Sequence, residues 1–227
     1  GCGVKAGVKA GAKLTSAKAG KGVFWQPVSI TQRQDGSKGL FPHLFLDRAK
    51  PGLIAVDHAG KRFTNEGNSY HYFCDDMIKR HESTPAIPCW VIVDSNFISK
   101  YGLGFVYPGS SNLDVHVKSG YLKAASTLER LAQLIKVDAT GLQESVTRNN
   151  DFSRTGVDAD YGKGSTEVSR FNGDIRHQPN PCLGAISKAP FYAMALWPGD
   201  AASDAGLATD TNGRVLNSIG QAISGLY

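Results

Sequence analysis

The sequence predicts an α+β fold from three observations. Short apolar runs of strand type, Leu53-Ile54-Ala55-Val56 and Trp90-Val91-Ile92-Val93, stand far apart. Helical spacing of apolar residues follows a helix-start signal near Ser126. Strands and helices then mix without the regular alternation of a doubly wound sheet.

The elements follow in chain order. The first 22 residues are biased to Gly, Ala and Lys, with Gly-Val-Lys-Ala twice in tandem over residues 3–10, too short for a solenoid. Val4, Val8 and Ala12 fall on one helix stripe. Gly7 and Gly11 allow close approach of another backbone but weaken a helix by about 1 kcal/mol each. A helix here needs something to pack on; without it the segment is a frayed tail. Residues 24–30 and 40–46 read as strands around a turn at 34–37. Residues 53–56 form a buried strand, and 57–60 turn it into 61–64. Helical spacing begins near Ser69 and carries Phe73 and Met77 toward Arg80. Pro85 and Pro88 bracket a break before the central strand Trp90–Val93, with Asp94 at its end.

Residues 102–120 are rich in Gly and Ser and read as loop. Ser126-Thr127-Leu128-Glu129 is a capping box, and Leu128, Leu131, Leu134 and Ile135 follow as a buried face. Asp138 or Thr140 opens a second helix, with Leu142, Val146 and Asn149 or Asn150 on one face, ending before Gly156. Residues 156–185 are polar and expected to wrap the surface. Phe191 to Leu196 is a strand. Residues 206–216 form a hairpin around Thr211-Asn212-Gly213.

With 227 residues, 41% apolar and 20% charged, the chain holds enough apolar surface for one large domain or two small ones. No apolar run nears the roughly 18 residues of a membrane span, and no signal peptide is visible at the start. Five lysines in the first 22 residues supply the net charge of +5, so the remaining basic and acidic residues balance. No nucleic-acid partner is expected on that footing. Cys2, Cys74, Cys89 and Cys182 form no Cys-x-x-Cys pair and lie near no His at zinc spacing. They read as free thiols of a cytoplasmic protein with no metal site.

Read cold, the motifs exclude more than they nominate. There is no G-x-G-x-x-G, no phosphate-binding loop and no nucleophile elbow. Asp75 and Asp76 are adjacent and share no helix face. Asp158 and Asp160 lack the glutamate that a calcium loop needs. No spacing of Ser, His and Asp nominates a triad. The densest polar cluster is Asn65-Glu66-Gly67-Asn68-Ser69-Tyr70-His71-Tyr72, after a strand and at a helix start. Such junctions present functional groups. Read cold, capping accounts for the cluster better: Asn68 or Ser69 serves as N-cap while Asn65 and Glu66 hold a turn.

At this cluster the sequence resembles a family. Residues 52–66, an apolar strand followed by Gly60-Lys61-Arg62-Phe63 and Asn65-Glu66, resemble a motif of flavoproteins of the fumarate reductase and 3-oxosteroid dehydrogenase superfamily. Asn180-Pro181-Cys182-Leu183-Gly184, Pro190-Phe191-Tyr192-Ala193, Pro198-Gly199-Asp200, Gly206-Leu207-Ala208-Thr209-Asp210 and Gly225-Leu226-Tyr227 recur there in the same order. Gly199-Asp200 resembles the ketosteroid dehydrogenase branch. Gly1-Cys2-Gly3 is similar to the family's Gly-Asp-Gly, with Cys2 in place of the usual acid. Fumarate reductases place a His before a Gly-Gly turn, where this chain has Ala202-Ser203-Asp204-Ala205-Gly206.

The resemblance implies a fragment without the family's dinucleotide-binding fold: residues 1–35 at the FAD-domain boundary, 36–179 a substrate-capping domain, and 180–227 a segment returning toward the FAD domain. It implies an FAD-dependent oxidoreductase of the dehydrogenase type, connected with steroid metabolism, that desaturates a carbon–carbon bond next to a ketone. FAD belongs to the full-length protein, and residues 1–227 alone are not expected to retain it. The implied partners are an apolar, ketone-bearing small molecule such as a steroid, and an electron acceptor for reduced flavin. Tyr70, seven residues after Phe63, stands where that branch has its cap-domain tyrosine and is the base candidate. A free tyrosine has a pKa near 10, so a base needs a partner or an apolar pocket. Ser203, Ala205 and Gly206 are the cofactor-binding candidates; Phe63, Tyr192 and Trp197 are the substrate-lining candidates, each equally suited to core packing. The alternatives are a module that binds an apolar ligand without redox chemistry, and a fumarate reductase-like reductase of unsaturated acids.

Overall fold

A computed structural model describes residues 2–15, 23–33, 35–45, 47–203 and 205–227. The expectations placed on Gly1, Lys18, Lys21, Gln34, Leu46 and Asp204 lie outside the described residues. The chain divides into two compact units, Trp25–Gly199 and the pair of segments Gly1–Phe24 with Asp200–Tyr227. These breaks fall inside the expected segments 1–35 and 180–227.

The larger unit is α+β, built on an antiparallel sheet. Its strands are β1 (Phe24–Gln32), β2 (Lys38–Pro42), β3 (Leu53–Val56), β4 (Cys89–Asp94), β5 (Lys123–Ala125) and β6 (Phe191–Ala202), in the order β2-β1-β6-β4-β3, with β5 also on β6. β4 sits centrally: Ile92 faces Ile54 on β3 and Ala193 on β6. Side chains alternate between two faces, as the pleat requires. Leu53, Ala55, Cys89, Val91, Val93, Tyr192, Met194 and Leu196 enter one core cluster; Ile54, Val56, Ile92 and Ala193 enter the other.

The second cluster is closed by two helices, α5 (Leu128–Ile135) and α6 (Ala139–Thr155). The cap of α5 is Thr127, whose side chain accepts from Arg130 N at 3.1 Å, and not Ser126 of the expected box. Leu128, Leu131, Ala132 and Ile135 are buried, while Leu134 is 43% exposed. At about 100° per residue, Leu134 points away from the stripe of 128, 131 and 135. Asp138 caps α6 by accepting from Gly141 N at 2.6 Å, and Gly156 ends it in a left-handed conformation at φ 78°. Leu142, Val146 and Asn149 are buried as expected. α6 begins hard against the turn after β3. A Cβ on Gly141 would lie 1.9 Å from Ala59 O, and one on Gly60 2.3 Å from Leu142 N. Ser145 Oγ donates to Gly60 O at 2.7 Å.

The first cluster is closed by α2 (Tyr70–His81), which buries Phe73, Cys74 and Met77, and by α3 (Ser95–Tyr101), capped by Asp94. α3, the short α4 (Asp114–Lys118) and β5 correct the sequence reading, which placed loop over 102–120 and nothing regular at 95–101 or 123–125. Residues 156–185 are likewise not a plain surface wrap. They hold α7 (Glu167–Asn172), bury Cys182 and Leu183, and send Asp158 and Lys163 inward. The expected second strand of the β1 hairpin stops at Pro42.

In the smaller unit, α1 (Cys2–Lys9) packs through Gly7, where a Cβ would meet a Leu207 methyl at 2.3 Å. Ala12 is buried, but Val8 is exposed, so the buried face is not the expected stripe. Gly11 serves a turn at φ 92°. The expected hairpin at 206–216 reduces to a turn at Gly213 with a single bridge, Thr209 to Val215. All four cysteines are free thiols; Cys2 is exposed and the others are buried. Burial pushes the Cys74 thiol up to about 12. Among the described residues, no helix is long and apolar enough to cross a membrane.

Candidate active site

β3 is the outer strand of its sheet, and its open edge is met by charge. Glu66 Oε1 accepts from Ala55 N at 3.0 Å, and Lys163 Nζ donates to Leu53 O at 2.6 Å. Sealing an edge in this way removes a row of unpaired main-chain groups. Arg62 binds Glu66 with Nε and Nη2 at 2.9 and 2.8 Å, and Asp158 with Nη1 and Nη2 at 3.2 and 2.8 Å. Lys163 Nζ lies 3.6 Å from Glu66. Two cations and two carboxylates therefore balance inside the protein, all four residues being buried. Burial pushes the Glu66 carboxyl up, but Arg62 and Lys163 more than offset this and hold it below the usual range. Burial likewise works against Asp158, and its hydrogen bonds from Arg62 bring it below its ordinary value. Burial wins at Lys163, whose pKa falls in spite of Glu66.

This cluster anchors the turn that leads to Tyr70. Asn65 Oδ1 accepts from Gly67 N at 2.9 Å and Asn65 O from Asn68 N at 3.0 Å, so Asn65 holds the turn as expected. Glu66 does not hold the turn; its side chain serves β3 and the cations. Ser69 is the N-cap of α2 but makes no side-chain capping bond. Tyr70 is the first residue of α2, half-buried, with its ring edge-on to Phe45 at 5.6 Å between centroids. Asp75 pairs with Lys79 at 2.8 Å, and Asp76 accepts from Thr64 at 2.6 Å, so neither acid faces the other.

The substrate-lining candidates are placed as follows. Phe63 and Tyr192 are both in the first core cluster, 9% and 6% exposed, with Phe63 6.0 Å from the Phe73 ring. Trp197 is half-buried, midway along β6. Phe45, which the sequence reading passed over, is the aromatic ring beside Tyr70. Ser203, Ala205 and Gly206 belong to the smaller unit. Ser203 Oγ donates to Ala205 O at 3.2 Å; Gly206 O accepts from Thr15 N at 2.8 Å, and Gly206 N donates to Thr15 Oγ1 at 3.1 Å. A Cβ built on Gly206 meets nothing within 4 Å, so one side of this backbone is open.

Sequence reading also missed a buried polar chain. Asp47 accepts from His43 Nδ1 at 2.5 Å, His43 Nε2 meets Ser29 Oγ at 2.7 Å, and Ser29 Oγ meets Tyr121 OH at 2.6 Å. The order is that of a hydrolytic triad, but Ser29 is 0% exposed. The chain ties β1 to the loops after β2 and before β5, and offers no nucleophile to solvent.

Residues 1–227 match the FAD binding domain family over their whole length. The chain belongs to this family. It is 42% identical over 219 residues to a 4-oxocyclohex-2-ene-1-carboxylate 5-dehydrogenase of Sinomonas cyclohexanicum, covering 96% of this chain and 36% of that protein. It is 37% identical over 186 residues to a 3-oxosteroid 1-dehydrogenase of Mycobacterium tuberculosis, covering 80% of this chain and 33% of that protein. The chain thus spans about a third of the length of these curated relatives. A crystal structure of a 3-ketosteroid delta1-dehydrogenase from Sterolibacterium denitrificans, in complex with 1,4-androstadiene-3,17-dione, superposes with a TM-score of 0.88 at 35% identity. It covers 99% of this chain and 39% of that one. For a member of the FAD binding domain family, the backbone at Gly206 leaves room for close approach of a flavin, since no side chain among the described residues fills that space.

Proposed function

We propose that this chain is the substrate-capping part, with a returning segment of the FAD domain, of an FAD-dependent dehydrogenase that desaturates a carbon–carbon bond beside a ring ketone. The observation that carries the reading is the placement of Tyr70. It opens α2 on a turn bolted to the sheet edge by Arg62, Glu66, Asp158 and Lys163, with an aromatic ring at its side. The likeness to two dehydrogenases of cyclic ketones supports the same chemistry.

Ser203, Ala205 and Gly206 would hold part of the flavin through main-chain approach. When bound, FAD supplies the acceptor for the hydride that leaves one carbon of the substrate. Tyr70 takes the proton from the neighbouring carbon as its phenolate and becomes the neutral phenol, and the pair of electrons left behind becomes the new double bond. Phe45 shields the ring of Tyr70 from water on one side and offers an apolar surface to a flat substrate.

The substrate class follows the relatives' names, and a 3-ketosteroid is the leading reading. A monocyclic oxo-carboxylate is the second, favoured by the 42% identity to the Sinomonas enzyme. The test is to give the flavin-loaded full-length protein each ketone with an artificial electron acceptor and weigh the product. Loss of two hydrogens from the ketosteroid is expected. Turnover of the monocyclic ketone alone moves the assignment to the second reading. Reduction of fumarate without oxidation of either ketone overturns both.

A further inference from the structure

Arg48 touches both segments that build the Tyr70 corner. It is 2% exposed, yet every hydrogen bond it makes among the described residues goes to a main-chain carbonyl. Nε donates to His43 O at 2.6 Å and Nη2 to Leu44 O at 2.7 Å. Nη1 donates to Glu66 O at 2.7 Å and to Asn68 O at 3.0 Å. The first two acceptors immediately precede Phe45; the other two flank Gly67 and lead into Ser69 and Tyr70. The guanidinium also lies over the ring of Phe73, one turn into α2, at 5.0 Å.

An apolar side chain would fill this space without desolvating a charge. What the guanidinium adds is a rigid planar fork that fixes acceptors in direction as well as distance. The start of α2 needs such a tether, because its own N-cap side chain makes no bond. Asn65 holds the turn from within, and Arg48 ties it to the Phe45 loop.

We propose that Arg48 is a positioning residue: its four carbonyl contacts set the separation of Phe45 from Tyr70 and so hold the phenol oxygen where the proton is taken. The proposal rests on Tyr70 as the base. A displacement of about 1 Å at a reacting group costs on the order of 100-fold in rate, and the effect of loosening this fork is read on that scale.

The test compares flavin-loaded full-length wild type with Arg48→Lys, Tyr70→Phe and the double variant. Lysine keeps the charge, but its single ammonium cannot span both pairs of carbonyls. Arg48→Lys is expected to lower kcat by roughly 10–100-fold, with KM moved far less and flavin content unchanged. Added to Tyr70→Phe it is expected to do little more, because the group it positions is gone. Wild-type kcat in Arg48→Lys, or a full multiplicative loss in the double variant, overturns the positioning role. Wild-type kcat in Tyr70→Phe overturns the base reading instead, and the proposal falls with it. Should Arg48→Lys fail to fold, Arg48→Ala is assayed with and without millimolar guanidinium ion. Recovery of kcat supports the proposal, and absence of recovery overturns it.

Discussion

On one face of the sheet, Ile54, Val56, Ile92 and Ala193 meet α5 and α6 in a buried cluster of aliphatic side chains, with Trp90 and Phe191 partly buried against it. On the other face and along the β3 edge, the core is interleaved with aromatic rings, thiols and buried charge: Phe63, Phe73, Cys74 and Tyr192 in the cluster, with Arg48, Arg62, Glu66 and Lys163 around it. The first arrangement derives its stability from burial, about 1.5–3 kcal/mol for each fully buried large aliphatic side chain. The second gives up part of that gain to desolvate ions, and receives fixed geometry in return. The base candidate stands on the second side.

The sharpest break in this contrast is Tyr70→Phe in the flavin-loaded full-length protein. The ring still packs on Phe45, so melting should barely move, while kcat is expected to fall by 10²–10⁴-fold as the proton acceptor disappears. A packing role for Tyr70 forecasts the reverse: a shifted melting temperature and unchanged turnover.

Next in size is Glu66→Ala. It strips the carboxylate from between two buried cations, and a loss of about 3–5 kcal/mol is expected in urea unfolding. The sign of its pH dependence follows from the lowered carboxyl. Stability from Glu66 is complete above its unfolded value of about 4.3, and drains as pH falls through the folded one. Wild type should therefore lose more stability than Glu66→Ala on acidification below that point. Parallel acid limbs would remove Glu66 as a source.

On the aliphatic face, Leu131→Ala should cost about 2–5 kcal/mol, with turnover per folded molecule unchanged. The smallest effect belongs to its neighbour: Leu134→Ala, on the exposed side of α5, should stay within about 0.5 kcal/mol. Equal costs at 131 and 134 would show that α5 is rotated from the position described.

The same contrast governs what could be read from the residues. Strands β3 and β4 and helices α5 and α6 were legible because burial on an aliphatic face imposes a period on the sequence. Leu134 shows the limit: a run of apolar residues does not by itself say which of them turns outward. α3 has only seven residues and β5 three, too few for a period to emerge. β5 exists through its pairing with β6. Tyr70 could be nominated from the local motif around Phe63 and Asn65. Asp158 and Lys163 could not, because they meet Arg62 and Leu53 across 96 and 110 residues of chain. Arg48 is equally silent in sequence. Its partners are carbonyls, which every residue has.

The contact of Gly60 with Gly141 and Leu142 gives the two sides a common mechanical stop. There the spacing between the turn after β3 and the start of α6 is set by main-chain atoms themselves, already at van der Waals distance. No smaller residue exists to bring them closer, so drift at either glycine can run in one direction only, toward separation. A methyl group at 141 would lift α6 from the turn and pull on the Ser145 bond to Gly60. Two residues further along that turn is Arg62. A change on the aliphatic side of the sheet would thus arrive, through backbone alone, at the charge cluster beneath the proposed base.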